Sequence, residues 1–115
     1  MFRKMLKSKI HRATLTRTEL HYEGSISVDQ SLLDAAGIVP YEAVHVWNIN
    51  NGQRFETYAL AAPAGSGEIC LNGAAARLGQ SGDRVIIATF CWLEANVDSG
   101  YAPAVVAVDS ANRIL

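Results

Sequence analysis

From residue 7 onward the chain alternates short β-prone stretches with turn residues and leaves room for only two short helical patterns. That rhythm restricts the fold more than any other feature. Residues 7–18 mix Ile, Leu and Thr in a strand-like manner, and residues 43–49 and 54–60 flank the tight-turn pair Asn51-Gly52 as hairpin partners. Residues 68–71 make a short strand, residues 84–93 are apolar enough to be buried on both faces, and residues 104–108 give a last strand. One helix is predicted from an Asp29 cap through Leu32, Leu33, Ala35 and Ala36 to a stop at Gly37. A shorter one opens at Asn72, runs through Ala74, Ala75, Ala76, Arg77 and Leu78, and ends at Gly79. Strands at this spacing with two short helices predict a mainly β fold, a small closed or nearly closed barrel.

Composition removes several function classes. The 115 residues fit one domain, 1–115. With 10 Lys+Arg against 11 Asp+Glu the net charge is −1, which excludes a bulk basic nucleic-acid binder, and an apolar content of 50% excludes a disordered chain. No run reaches the roughly 18 apolar residues of a spanning helix, so no membrane partner is expected. The cationic opening, Met1 to Lys9, lacks the apolar segment of a secretory signal. Cys70 and Cys91 are too few for a disulfide framework and too far apart for a metal motif. They read as two thiols in a reducing cytosol, and the expected location is cytoplasmic. Arg3, Lys4, Lys7, Lys9, Arg12 and Arg17 form an acid-free basic run that suits either a solvated strand face or an anion site.

No phosphate loop, nucleophile elbow or metal cluster is present. His11 and His21 suit surface or hydrogen-bonded positions, and His45 lies in an apolar strand. One segment stands apart: His21-Tyr22-Glu23-Gly24-Ser25, with polar aromatic residues crowding a Gly-Ser pair. Glycine presents its carbonyl without a side chain in the way and tolerates strained backbone angles. The following hydroxyl can attack that carbonyl if the fold holds both atoms in near-attack geometry.

Five ordered blocks carry a wider likeness: residues 5–14 (MLKSKIHRAT), 21–25 (HYEGS), 47–52 (WNINNG), 54–58 (RFETY) and 71–76 (LNGAAA). In this order the chain resembles the L-aspartate 1-decarboxylase family, small pyruvoyl-dependent enzymes that make β-alanine for pantothenate and coenzyme A biosynthesis. The resemblance implies a double-psi β-barrel, assembled as a homotetramer of four α and four β chains with sites between neighbouring subunits. It also implies self-cleavage at Gly24-Ser25 into a β chain, 1–24, and an α chain, 25–115. Ser25 Oγ would attack the Gly24 carbonyl, and elimination, hydration and loss of ammonia would leave a pyruvoyl group at the new terminus. No metal and no pyridoxal phosphate is called for. The pyruvoyl carbonyl would form a Schiff base with L-aspartate and accept the electron pair released with CO2.

By the same resemblance Tyr58 donates the quenching proton, and Lys9 and Arg54 meet the substrate carboxylates. Arg suits a fixed carboxylate through its planar fork, whereas Lys acts as a point charge. Thr57, Asn72, Gly73, Ala74 and Ala75 are further substrate-binding positions, and His11, Tyr22 and Thr57 support processing. Small residues at a helix opening also let backbone N–H groups approach an anion. Strand periodicity places Arg54 and Tyr58 on one face with Glu56 between them, Lys9 and His11 on a shared face, and Thr57 opposite Arg54. Cys91-Trp92 and residues 96–101 depart from the family pattern, and Glu23 beside the scissile pair bears on the cleavage rate. Some members mature unaided and others with an accessory protein, so a maturation partner is compatible with the chain. The alternatives are a processing-deficient barrel that binds acidic metabolites and a small structural or nucleic-acid-binding barrel.

Overall fold

The turn signals of the sequence fall where the chain reverses, in a computed structural model that describes residues 1–115. Eight strands result: β1 (Phe2–Thr14), β2 (Arg17–Glu19), β3 (Ser25–Asp29), β4 (Ala43–Asn48), β5 (Arg54–Ala62), β6 (Ile69–Asn72), β7 (Arg84–Glu94) and β8 (Ala104–Ala107). They pair in the order β2-β6-β3-β5-β4-β7-β1-β8. The pairs β1–β8, β2–β6 and β3–β5 are parallel and the other four antiparallel. The fold is therefore mainly β and barrel-like, as the spacing of strands predicts. Ile10, Ile26, Val28, Val46, Leu71 and Ile87 meet at its centre, fully buried. Strands β2 and β8 stand at the two ends of the order, and the Asn112 side chain ties the strand system together. Its Nδ2 donates to Thr14 O and Gly67 O, and its Oδ1 accepts from Thr14 N. No helix is long and apolar enough to cross a membrane.

Three local expectations need correction. The stretch 7–18 is not one strand: β1 starts at Phe2, because β7 offers it partners from Glu94 onward, and it ends at Thr14. Leu15 then plugs the core and Thr16 N bonds to Ile69 O, so β2 begins only at Arg17. Burial of β7 on both faces holds for Val85 and Ile87 to Thr89 and fails further on, where β4 no longer pairs with it and Trp92 is 67% exposed. The β4–β5 hairpin closes through a five-residue loop, 49–53, because β4 ends at Asn48 and not at Ile49 as expected. Asn48 takes over the loop: its Oδ1 accepts from Asn50 N and Asn51 N while its carbonyl accepts from Gly52 N. Arg54 consequently faces Trp47.

The first helix, α1 (Gln30–Ala36), forms as the sequence predicts, capped by Asp29 and stopped by Gly37 at φ +67°. Asp29 is nearly fully buried. Its carboxylate accepts from Ser31 N at 2.8 Å, from Gly65 N at 2.9 Å, from Gly67 N at 2.8 Å and from the Ser31 hydroxyl. Burial alone pushes this carboxyl up, but the hydrogen bonds from Ser31, Gly67 and Gly65 outweigh it and hold the group below its ordinary value. A lowered folded pKa stabilises the fold above the unfolded value of about 3.9 and loses that contribution as the pH falls through the folded value. Asp29→Asn is expected to cost about 2–3 kcal/mol at pH 7, where it replaces charge-assisted bonds. Denaturant unfolding should show the gap to the parent protein narrowing progressively below about pH 4.

Candidate active site

Two groups of the predicted residues gather in different parts of the chain. The first is built on β6, whose four residues are all buried and whose antiparallel register with β3 sets Asn72 opposite Ser25. Ser25 has 0% exposure although Gly24 before it is exposed. The Ser25 hydroxyl accepts from Asn72 Nδ2 at 2.9 Å and donates to Glu23 O at 3.2 Å. The second hydrogen of the Asn72 amide goes to Ser27 Oγ, also at 2.9 Å. Asn72 thus spends its side chain on the two serines instead of capping the helix that follows it.

That helix, Gly73–Leu78, is a 3-10 helix of six residues, so it offers little of the macrodipole invoked for an anion at its opening. Gly73 has a different use. It sits at φ +65°, and a Cβ there would lie 2.6 Å from Gly24 Cα, 2.7 Å from Gly24 N and 2.9 Å from Tyr22 O. The backbone of residues 22–24 rests directly on this glycine. A Cβ on Gly24 itself would meet nothing within 4 Å. Ala74 is exposed and Ala75 buried. Beside this group opens a cavity of about 330 Å³ whose wall includes Arg17, Tyr22, Ser27, Glu68 and Asn72. Arg17 is committed there to Glu19 at 2.7 Å and Glu68 at 2.8 Å.

The second group lies on the outer face of the β4–β5 hairpin. The register sets Arg54 against Trp47, Glu56 against His45 and Tyr58 against Ala43, which puts the three predicted residues on one face. Thr57 pairs with Val44, a core residue, on the opposite face. The pairing runs unbroken from 54 to 58, so the two faces are separate and no irregularity joins them. Arg54 stacks on the Trp47 ring with its guanidinium carbon 4.3 Å from the ring centroid, and it takes part in none of the three ion pairs of the chain. Lys4, His45, Trp47, Arg54, Glu56 and Phe90 line a cavity of about 450 Å³. Tyr58 stacks on Tyr41 with ring centroids 6.1 Å apart.

Lys9 and His11 stand on β1, next to β8, opposite Val105 and Ala107. Lys9 is half-buried and free of ion pairs, whereas Lys7 is bound to Glu42 at 2.6 Å. His11 Nδ1 is buried without a hydrogen-bond partner. The basic run thus divides between structural pairs, Lys7 and Arg17, and unpaired cations such as Lys4 and Lys9. Ser25, Asn72 and Gly73 come together with Tyr22 and Gly24. Arg54 lines a different cavity from Asn72, and Lys9, His11 and Tyr58 line neither.

Sequence reasoning missed Ser27, Cys70 and Trp47. Ser27 had a signal, since it lies two residues beyond Ser25 on the same face of a strand. Trp47 had one too, but only with the true loop length does it fall opposite Arg54. Cys70 had the same kind of signal, since it lies two residues before Asn72 on one strand.

The model of the family described as "Aspartate decarboxylase" matches residues 1–115. The Aspartate 1-decarboxylase of Acaryochloris marina (strain MBIC 11017) is 61% identical over 115 residues, which covers 100% of this chain and 88% of that protein. That of Syntrophobacter fumaroxidans (strain DSM 10017 / MPOB) is 55% identical, covering 100% of this chain and 93% of its own. That of Dehalococcoides mccartyi (strain ATCC BAA-2266 / KCTC 15142 / 195) is 56% identical over 110 residues, 96% of this chain and 89% of its own.

Proposed function

The chain belongs to the aspartate decarboxylase family, and from that premise we propose that it makes its own catalytic group by breaking the Gly24-Ser25 bond. It is a carboxy-lyase that converts L-aspartate to β-alanine and CO2, the β-alanine serving pantothenate synthesis. The observation that carries the proposal is the buried Ser25 hydroxyl, held by Asn72 Nδ2 at 2.9 Å, directly after a glycine whose backbone is seated on Gly73. A hydroxyl held by two hydrogen bonds has little freedom left to lose in attacking the carbonyl that precedes it, and Gly24 leaves that carbonyl uncrowded.

The residues around Ser25 also suit the pyruvoyl group that would replace it. The departing Oγ, which leaves as part of the Gly24 carboxylate, has the Asn72 Nδ2 donor beside it, and the open space at Gly24 gives the cut end somewhere to go. Once formed, the group supplies an electron sink that no ordinary side chain has. The remaining work falls to the chain's own side chains. Arg54, with no acid to release, is free to take a carboxylate bidentately, and its stacking on Trp47 fixes the plane of the fork. Lys9 supplies a second, point-like cation. Tyr58 holds the proton for the product carbon, its ring set by Tyr41. Thr57, Ala74 and Ala75 contribute contacts to the substrate, and His11 and Tyr22 support processing.

Ser25 and Arg54 belong to separate regions of one chain, which supports a site completed between copies in a homotetramer. Within such an assembly residues 1–24 and 25–115 would remain associated, and a maturation partner would act before the site is complete. Intact-mass measurement of the purified protein tests the reading. Two fragments are expected, the larger one lighter by one ammonia than a hydrolysis product beginning with serine. A chain that stays whole after prolonged warming, with and without a host maturation protein, would overturn it.

A further inference from the structure

The hydrogen bonds around Asn72 continue past the two serines to a thiol. Cys70, fully buried on β6 two residues before Asn72, lies with Sγ 3.2 Å from Asn72 Oδ1. The competing acceptor, Leu71 O, is 3.8 Å away. Burial pushes this thiol up, Arg17 pulls it down, and Glu68 and Glu19 push it up again; the net direction is up, so the group is a neutral S–H.

A carboxamide has one accepting end and one donating end, and here they face different neighbours. Serine hydroxyls tolerate either end, because each both donates and accepts. A neutral thiol does not: its sulfur is a weak acceptor, so an NH2 group turned toward it would be left unsatisfied in a buried place. Ser25 and Ser27 therefore leave the amide undecided, and Cys70 decides it. Resting on the self-cleavage reading above, we propose that Cys70 is a positioning residue for that reaction, turning the Asn72 amide so that an N–H rather than a carbonyl faces Ser25 Oγ.

The orientation matters at both steps. In the acyl shift Ser25 Oγ bonds to the Gly24 carbonyl carbon as that carbon's bond to Ser25 N breaks, and the hydroxyl proton ends on the freed amine. With Asn72 donating to Oγ, the hydroxyl proton is directed away from it, toward Glu23 O at 3.2 Å. In the elimination Ser25 Cα loses its proton and the Cβ–Oγ pair stays on oxygen, which becomes part of the Gly24 carboxylate. An N–H donor at that oxygen stabilises the charge as it develops, whereas a carbonyl there would repel it.

The test is the rate of self-cleavage, followed by intact mass on freshly made uncut chain, in the parent protein and in Cys70→Ser, Cys70→Val and Cys70→Ala. Cys70→Ser keeps a donor at the same place but accepts equally well, so the amide divides between its two ends and cleavage should be about two- to threefold slower than in the parent. Cys70→Val fills the volume without a donor and should cleave roughly tenfold slower at an unchanged melting temperature, a split that a purely structural role would not produce. Should the valine variant not fold, Cys70→Ala against Cys70→Ser makes the same comparison per folded chain. Cleavage of Cys70→Val or folded Cys70→Ala at the parental rate overturns the assignment while leaving self-cleavage intact. A parent chain that never cleaves overturns both.

Discussion

Ser25→Ala is expected to fold, to stay in one piece and to have no decarboxylase activity. The substitution removes a single oxygen from a fully buried residue, so the barrel loses two hydrogen bonds, about 1–3 kcal/mol, while the Asn72 amide keeps Ser27 as an acceptor. The chemical loss is far larger. Without Oγ nothing on β3 can attack the Gly24 carbonyl, and without the keto-acyl terminus the electrons of the departing carboxylate have no acceptor. The turnover of aspartate should fall by at least about four orders of magnitude. Intact mass and β-alanine release read the two consequences separately. Release of a 24-residue fragment from this variant would show that the cut does not depend on the hydroxyl.

Gly73→Ala should be nearly as damaging by a different route. At φ +65° an alanine costs about 1–2 kcal/mol from its own backbone sterics. Its Cβ would stand 2.6 Å from Gly24 Cα and 2.7 Å from Gly24 N, atoms of a main chain that no rotamer change can move aside. The total penalty is expected to reach about 3 kcal/mol, and the displaced segment 22–24 should no longer present its carbonyl to Ser25. Thermal unfolding and the fraction cleaved after a fixed time should both fall. Gly24→Ala is the matched control: with nothing within 4 Å of the added carbon it should fold normally.

The parts of this molecule that the sequence disclosed are those determined by neighbours in the chain. Asp29 and Gly37 bracket α1 because a cap and a left-handed stop act over a few residues. The faces of Arg54, Glu56 and Tyr58 followed from a period of two. What escaped was set by partners far along the chain. The parallel pairings of β1 with β8 and β3 with β5 leave no local trace, and the extension of β1 back to Phe2 depends on β7 being there to receive it. Strand β4 stops one residue earlier than its β-prone run because Asn48 turns its side chain onto the loop that follows. At the candidate site the Gly-Ser pair and the unpaired arginine could be read directly. The Gly73 seat could not, since it depends on residues 22–24 being laid against a glycine far along the chain, and the Cys70–Asn72 contact, though local to β6, gains its meaning only from Ser25 and Ser27, which β3 brings alongside.

The seating of β1 between β7 and β8 bears on timing. A segment from the front of the chain is clasped by two that are synthesised long after it, so the architecture cannot close until translation has passed residue 107. Severing the backbone at residue 24 any sooner would let the leading piece diffuse away. Ser25 likewise gains its partner only when β6 has docked, so the arrangement proposed for self-cleavage and the pairings that would hold residues 1–24 both wait on strands made after them.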